Sequence, residues 1–235
     1  VVGTGSYKNR THIPSESDVD VAVIYKDVFS NDWAYVDPRA ATDDAVLQAL
    51  MHEAHISPAT YRYAEYKDDV EAALVGHFGR TAVHRGDKAF DIRENTYRVE
   101  SDCMAMFEHR QWVRDAQGRL TYAAGVKFSP DSAPRSDIRN WPAQQFRNGG
   151  EKHARTARRY KKQVRILKNL CVEMRDSGVP AARPIPSFLI ECLVYQVPDA
   201  HFGAATFYEE LDDVLAYLVV NLKSEAASAT WTEVS

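Results

Sequence analysis

The chain has 235 residues, of which 45% are hydrophobic and 26% are charged, a composition ordinary for a soluble globular protein. That length allows one large domain or two small ones with a sizeable core. No apolar run approaches the ~20 residues that a bilayer span needs, and no secretory signal is present. We therefore expect a cytoplasmic protein that needs no membrane.

The cysteines exclude an obvious zinc site. Cys103, Cys171 and Cys192 lie far apart in apolar surroundings, and neither a C-x-x-C pair nor a Cys/His cluster has the spacing of zinc ligands. We expect buried free thiols in a reducing compartment.

The net charge of −4 hides an uneven distribution. Residues 135–175 contain twelve Lys or Arg and three acids, so this segment is strongly basic and the rest of the chain is strongly acidic. A basic segment within an acidic protein indicates a local polyanion partner more than bulk binding of nucleic acid.

A glycine-rich turn near the start of the chain precedes a strand that carries two carboxylates. Gly5 lets the backbone approach phosphate oxygens, and Ser6 can donate its N–H and hydroxyl to them. Asp18 lies twelve residues after Ser6. Asp18 and Asp20 alternate with valines, which places both acids on one face of a strand, roughly 6–7 Å apart at the backbone. Two acids beside such a turn suit a divalent metal and the polyphosphate that travels with it.

Because the first residues already belong to this motif and the chain stops abruptly, we expect a fragment of a somewhat longer protein.

The next segment is predicted to contain a loop, two helices and two hairpins. Residues 26–38 are polar and aromatic, and we interpret them as a loop. One helix is expected from about Thr42 and a second near residues 57–58 or a little later. Short strands surround a turn at residues 86–87, and a later hairpin covers residues 112–126.

A third carboxylate is needed because two acids hold two metal ions poorly. Asp102 lies in an extended run over residues 97–108, which we interpret as a central strand. Glu100, on the same face as Asp102, and Asp91, in a short upstream strand, are the alternatives.

The C-terminal half is predicted to be helical. Prolines between residues 130 and 142 indicate a crossing from the sheet to this half. One long helix is expected over residues 151–175, followed by helices that begin at Pro186 and about Thr206. Glu191 lies on an otherwise apolar helix, where we expect it to pair with a nearby Arg or Lys.

The long helix carries a basic stripe. Lys161, Arg165 and Lys168 recur at i, i+4 and i+7 and therefore share a side. That spacing suits a polyphosphate, although some of the other basic residues of the helix must form a solvated face.

These motifs resemble the nucleotidyltransferase superfamily that includes DNA polymerase β. The pattern G-S-Y-x-x-x-T begins at Gly5, and S-D-x-D-x-x-V begins at Ser17. Within the superfamily, the chain looks closest to the bacterial cGAS/DncV-like nucleotidyltransferases, which make cyclic oligonucleotide signals in anti-phage defence. Asn140, Trp141, Pro142 and the nearby Gln145 resemble their N-W-P-x-Q segment, and residues 185–191 match their I-P-S-F-L-I-E segment, so the resemblance covers nearly the whole chain.

The resemblance also implies site residues. The third acid of the family lies in a V-E-A-D-V-V-P-like stretch, which residues 99–104 match, although Met106 and its neighbours depart from the usual proline. We therefore favour Asp102. The family further implies that Lys168 and Ser187 contact the triphosphate. Mg²⁺, or Mn²⁺ in its place, is the implied cofactor.

The fold implied by this resemblance is α+β. A polymerase β-like nucleotidyltransferase sheet with helices is expected over residues 1–130, and a C-terminal helical lobe over residues 131–235. The active site is expected in the cleft between them.

The predicted function is template-independent synthesis of a cyclic di- or trinucleotide second messenger from NTPs, ATP among them, in bacterial anti-phage (CBASS) signalling. Asp18, Asp20 and Asp102 would bind two metal ions that promote attack of a ribose hydroxyl on an α-phosphate. A regulatory protein partner is compatible with this function, and binding of nucleic acid is not required. The alternatives are a toxin-like enzyme that modifies RNA or a protein hydroxyl, and a catalytically silent nucleotide sensor.

Overall fold

The computed structural model describes residues 1–14, 19–97, 99–132 and 136–235. The strands are β1 (Val2–Gly3), β2 (Val19–Asp32), β3 (Val83–Arg85), β4 (Phe90–Ile92), β5 (Ser101–Arg114), β6 (Leu120–Phe128) and β7 (Ile138–Asn140). The α-helices are α1 (Gly5–Asn9), α2 (Asp44–Glu53), α3 (Tyr63–Phe78), α4 (Pro142–Arg155), α5 (Tyr160–Asp176), α6 (Ser187–Gln196), α7 (Phe207–Leu222) and α8 (Glu225–Ser228).

The chain divides into two compact units. The first contains Val1–Gly3 and Asp18–Pro142, and the second contains Thr4–Ser17 and Ala143–Ser235. The sequence placed the division at residues 130/131, whereas β7 keeps the chain in the sheet as far as Asn140 by pairing with β6. The segment that includes Gly5 and Ser6 belongs to the second unit although it precedes β2.

The first unit is built on a seven-stranded sheet with β5 at its centre. The strand order is β1-β2-β5-β4-β3, and β6 pairs with β5 and β7 with β6. The β2/β5 pair is parallel, and the other described pairs are antiparallel. This mixed sheet with helices agrees with the α+β class predicted from the sequence.

Alternation along β2 gives each face of the sheet its own apolar cluster. Val23 packs on one face, with Tyr66 and Val70 of α3 and with Cys103 of β5. Ala22 packs on the other face in a cluster that includes Met106, Val126 and Phe128. Since Asp20 precedes Ala22 by two residues, it lies on the face of this second cluster.

The prediction of a loop over residues 26–38 is wrong for its first half. β2 continues to Asp32, with a register shift between Tyr25 and Phe29. Cross-strand packing explains the extension, because the Arg110 guanidinium lies 3.5 Å from the Phe29 ring centroid and Trp112 Nε1 donates to Asn31 Oδ1 at 2.8 Å. Such pairing decides strand formation more than the polarity of the segment does.

The expected helices between β2 and β3 are present, and each has an identifiable terminus. Asp43 accepts from the N–H groups of Ala45 and Val46 and so caps α2. α3 begins at Tyr63, later than residues 57–58, and ends at Phe78, where the C-cap residue Gly79 has a φ of 85°.

The prediction of one helix over residues 151–175 is wrong, because two helices meet there. α4 ends at Arg155 and α5 begins at Tyr160, and Ala157 and Arg158 between them have φ values of 48° and 62°. The Thr156 hydroxyl donates to Lys152 O at 2.8 Å and accepts from Tyr160 N–H at 3.1 Å, which satisfies backbone groups at both helix ends. Helical periodicity does not reveal such a break.

The second unit is a helical assembly with its own core. Tyr160, Val164, Ile190 and Val194 are buried together between α5 and α6. Val214 and Leu218 of α7 pack in a second cluster, and Thr206 with Glu209 forms the capping box of that helix.

The three cysteines are free and buried, as the sequence predicted. Among the helices in the described ranges, none is long and apolar enough to cross a membrane.

Candidate active site

Asp20 and Asp102 lie opposite each other on neighbouring strands. They are register partners in the parallel β2/β5 pair, so their side chains share one face. Neighbouring strands are about 4.8 Å apart, and both residues are half-buried. Two carboxyl groups on one face of adjacent strands can both supply oxygen ligands to a divalent cation.

The same row of the sheet continues beyond Asp102. Asp91 of β4 is the antiparallel partner of Asp102, and it pairs with His84 Nδ1 at 3.0 Å. Asp102 therefore lies between Asp20 and Asp91. Asp102 is one strand away from Asp20, whereas Asp91 is two strands away. Glu100, the other alternative, precedes β5 and is exposed. The assignment of Asp102 as the third acid stays a prediction.

Asp18, the remaining acid of the predicted set, lies outside the described residues. Within the described ranges, no three His, Cys, Asp or Glu side chains are placed to hold a metal ion together. The donor chemistry of Asp20 and Asp102 nevertheless fits Mg²⁺, which prefers carboxylate oxygens and is held by one or two protein carboxylates with phosphate oxygens completing its shell.

Gly5 and Ser6 begin the short helix α1 of the second unit. Gly5 has a φ of 61°, a conformation that a residue with a Cβ adopts only with strain. The Thr11 N–H donates to Ser6 O at 2.9 Å, and Arg10 ends α1 with a φ of 57°. The backbone of the glycine-serine turn, residues 5–11, is therefore closed on itself.

Glu191 of α6 holds the end of this turn. Its Oε2 accepts from Thr11 Oγ1 at 2.9 Å, and its Oε1 accepts from Gln145 Nε2 at 3.1 Å. The sequence predicts an Arg or Lys partner for this carboxylate. Among the described residues its hydrogen bonds come from a threonine and a glutamine, and Lys161 interacts with it electrostatically. Thr11 and Glu191 each end a motif, but the sequence carries no signal that the two motifs touch.

The basic stripe of α5 is less exposed than a solvated face would be. Lys161 is buried with its Nζ 5.6 Å from the Phe146 ring centroid, and burial lowers its pKa while Glu191 raises it. Arg165 donates to Arg10 O at 2.7 Å, and Lys168 is 2% exposed.

Ser187 is the first residue of α6 and is half-buried. The four predicted triphosphate residues thus all belong to the second unit, whereas Asp20 and Asp102 belong to the first.

Known proteins match nearly the whole chain. Residues 147–235 match the model of the cGAS/DncV-like nucleotidyltransferase C-terminal helical domain. A cyclic dipyrimidine nucleotide synthase CdnE of Legionella pneumophila is 34% identical, over 98% of this chain and 72% of its own length. A protein of the same name from Cecembia lonarensis is 37% identical, over 99% of this chain and 73% of its own length.

The fold is matched to a similar extent. The structure of an Elizabethkingia meningoseptica CdnE cyclic dinucleotide synthase with GTP and Apcpp superposes with a TM-score of 0.75 at 30% identity, over 99% of this chain and 73% of that one. Similarity of this extent in sequence and in fold shows that the chain belongs to the cGAS/DncV-like nucleotidyltransferases.

Proposed function

We propose that this protein makes a cyclic di- or trinucleotide from NTPs, ATP among them. The observation that carries the proposal is the register of Asp20 opposite Asp102 in a nucleotidyltransferase whose relatives are named as cyclic nucleotide synthases. Two relatives are named for dipyrimidine products, and the solved structure of the Elizabethkingia meningoseptica relative contains GTP and Apcpp.

We propose that Asp18, Asp20 and Asp102 bind Mg²⁺, or Mn²⁺ in its place. When bound, such ions lower the pKa of an attacking hydroxyl and neutralise charge on the leaving pyrophosphate. Asp102 would lie nearest the attacking ribose hydroxyl and accept its proton through a carboxylate oxygen. Asp20, opposite Asp102, would hold the nucleotide end of the same site.

Gly5, Ser6, Lys168 and Ser187 are proposed to bind the triphosphate. The positive φ of Gly5 supports close approach of a phosphate to the backbone, and Ser6 supplies an N–H and a hydroxyl. The burial of Lys168 supports a strong interaction, because a charge-assisted hydrogen bond gains strength away from water. Ser187 begins a ten-residue helix, whose first turn favours anions.

The proposed setting is CBASS anti-phage signalling in the bacterial cytoplasm. The three buried free thiols suit a reducing compartment. A regulatory protein partner is compatible with this role, and neither a membrane nor nucleic acid is required for the proposed reaction.

The test is synthesis from labelled NTPs and Mg²⁺ alone. We expect a small product that resists phosphatase, and its mass spectrum gives the bases and the ring size. Asp20→Asn and Asp102→Asn proteins, purified in parallel, serve as controls and should make none. Label that appears only on added RNA or protein would replace this proposal with the toxin-like activity. NTP binding without turnover in Mg²⁺ or Mn²⁺ would replace it with a sensor.

A further inference from the structure

A buried carboxylate and a buried threonine join two distant segments of the chain within the second unit. Thr11 is 0% exposed and Glu191 is 3% exposed, and the hydrogen bond between them spans 180 residues of sequence. A charged group this far from water is costly unless its oxygens are satisfied. Thr11 satisfies one oxygen of Glu191 and Gln145 the other.

The Thr11 hydroxyl anchors the C-terminal end of the turn, and a second side chain among the described residues does so too. Arg165 supplies the second by donating to Arg10 O at 2.7 Å. Arg10 has the left-handed conformation that closes α1, so the anchors hold two consecutive residues at the point where the turn reverses.

The position of Ser6 depends on that of Thr11 through a backbone hydrogen bond. The Thr11 N–H donates to Ser6 O at 2.9 Å, while its hydroxyl donates to Glu191. A displacement of Thr11 therefore moves the Ser6 carbonyl and, through the Ser6 Cα, the N–H and hydroxyl of the same residue. Since Ser6 is proposed to bind phosphate through these two groups, such a shift weakens triphosphate binding.

We propose that Glu191 is a positioning residue for the triphosphate subsite and that it acts through Thr11. The inference depends on the proposed role of Ser6 in triphosphate binding. Glu191 touches no reacting group in this scheme. Its carboxylate holds the glycine-serine turn in the conformation that receives the nucleotide, and Gln145 orients that carboxylate by donating to its other oxygen.

The test compares Thr11→Val, which removes the hydroxyl at nearly constant volume, with Thr11→Ser, which keeps it. The measurement is the Kd for Apcpp in the presence of Mg²⁺, obtained by calorimetry well below the Tm of each variant. We expect Thr11→Val to raise Kd at least about tenfold, since a hydrogen bond to a charged group is lost. Thr11→Ser should stay within about threefold of the wild type.

Thr206→Val is the control for a loss of stability alone. Thr206 caps α7 in the same unit, so its replacement should lower the Tm without changing the Kd for Apcpp. If Thr11→Val does not fold, Gln145→Met removes the other bond to Glu191 and should raise the Kd by a smaller factor.

The results separate this inference from the proposed function. An unchanged Kd in Thr11→Val, or in Gln145→Met where that variant is the one measured, overturns the positioning role even if the wild type makes a cyclic product. A raised Kd that Thr11→Ser restores supports the positioning role even if the wild type makes no cyclic product. A Kd that rises equally in Thr206→Val would reduce the effect to general destabilisation and also overturn the inference.

Discussion

Asp20 of β2 and Asp102 of β5 are direct neighbours in a parallel register, and apolar residues further along the same face fix that register. Two positions further along the strands, Ala22 faces Met104 in the same manner, and both belong to one apolar cluster. A slip of one residue would turn this cluster toward the other face. Apolar packing thus holds two carboxyl side chains next to each other on one face of the sheet.

Asp102→Asn should therefore separate catalysis from stability. We expect product formation to fall by at least about a hundredfold, because losing even an outer partner of a metal site costs 10–100-fold. The metal-free Tm should stay close to that of the wild type, because asparagine has nearly the same size and shape as aspartate. Thermal melts with and without Mg²⁺, combined with the product assay, check both expectations.

Asp91→Asn is the matched control for that experiment. Asp91 shares the row with Asp102 but lies one strand further from Asp20 and pairs with His84. We expect it to keep activity within about threefold of the wild type. Loss in Asp91→Asn equal to that in Asp102→Asn would transfer the third ligand to Asp91.

Lys168→Met should weaken binding of the nucleotide more than it slows chemistry. A charge-assisted hydrogen bond is worth about 1.5–3 kcal/mol, so we expect the KM for NTP to rise at least about tenfold. Lys162 lies on the same helix and is exposed, which makes Lys162→Met the control. Steady-state kinetics of both variants test the assignment, and equal effects on KM would point to the general charge of α5 instead.

The sequence predicts those features of the fold that depend on a single strand or a single helix. Alternation along residues 19–23 assigns the faces of β2, and the helix starts expected at about Thr42 and Thr206 lie within two residues of those of α2 and α7. The placement of Asp102 on a strand next to Asp20 was also expected, although its catalytic role remains a prediction.

Features that depend on contacts between distant segments could not be predicted. The extension of β2 to Asp32 depends on packing against β5, more than seventy residues away in sequence. The break before Tyr160 depends on the Thr156 hydroxyl. The bond between Thr11 and Glu191 joins two motifs whose spacing carries no information about contact.

Trp33→Ala should cost about 3–5 kcal/mol of unfolding free energy, which is typical of an aromatic residue removed from a core. Trp33 is 6% exposed and stacks on Trp112 at 4.9 Å between centroids, with 10° between the ring planes. Urea denaturation followed by circular dichroism measures the change. Tyr35, which is 67% exposed, supplies the control, and Tyr35→Ala should change the free energy by less than about 0.5 kcal/mol. Equal effects of the two substitutions would contradict a core role for the Trp33–Trp112 stack.

His153 should make the stability of the protein depend on pH. Its Nδ1 accepts from the Lys161 N–H at 3.2 Å, so the folded state favours the neutral ring. Burial, followed by the positive charges of Lys161 and Arg165, lowers the pKa of His153 to about 4. Arg158 and Lys162 act in the same direction.

The sign follows from proton binding. An unfolded histidine titrates near pH 6.5, so between about pH 6.5 and 4 the unfolded chain binds more protons than the folded one. The contribution of His153 to stability is therefore complete above pH 6.5 and declines as the pH falls toward 4. His153→Asn should show a smaller loss of unfolding free energy between pH 7 and pH 5 than the wild type, as measured by urea denaturation. The exposed His52 is the control, and His52→Asn should keep the wild-type difference. An undiminished difference in His153→Asn would assign the pH dependence to other groups.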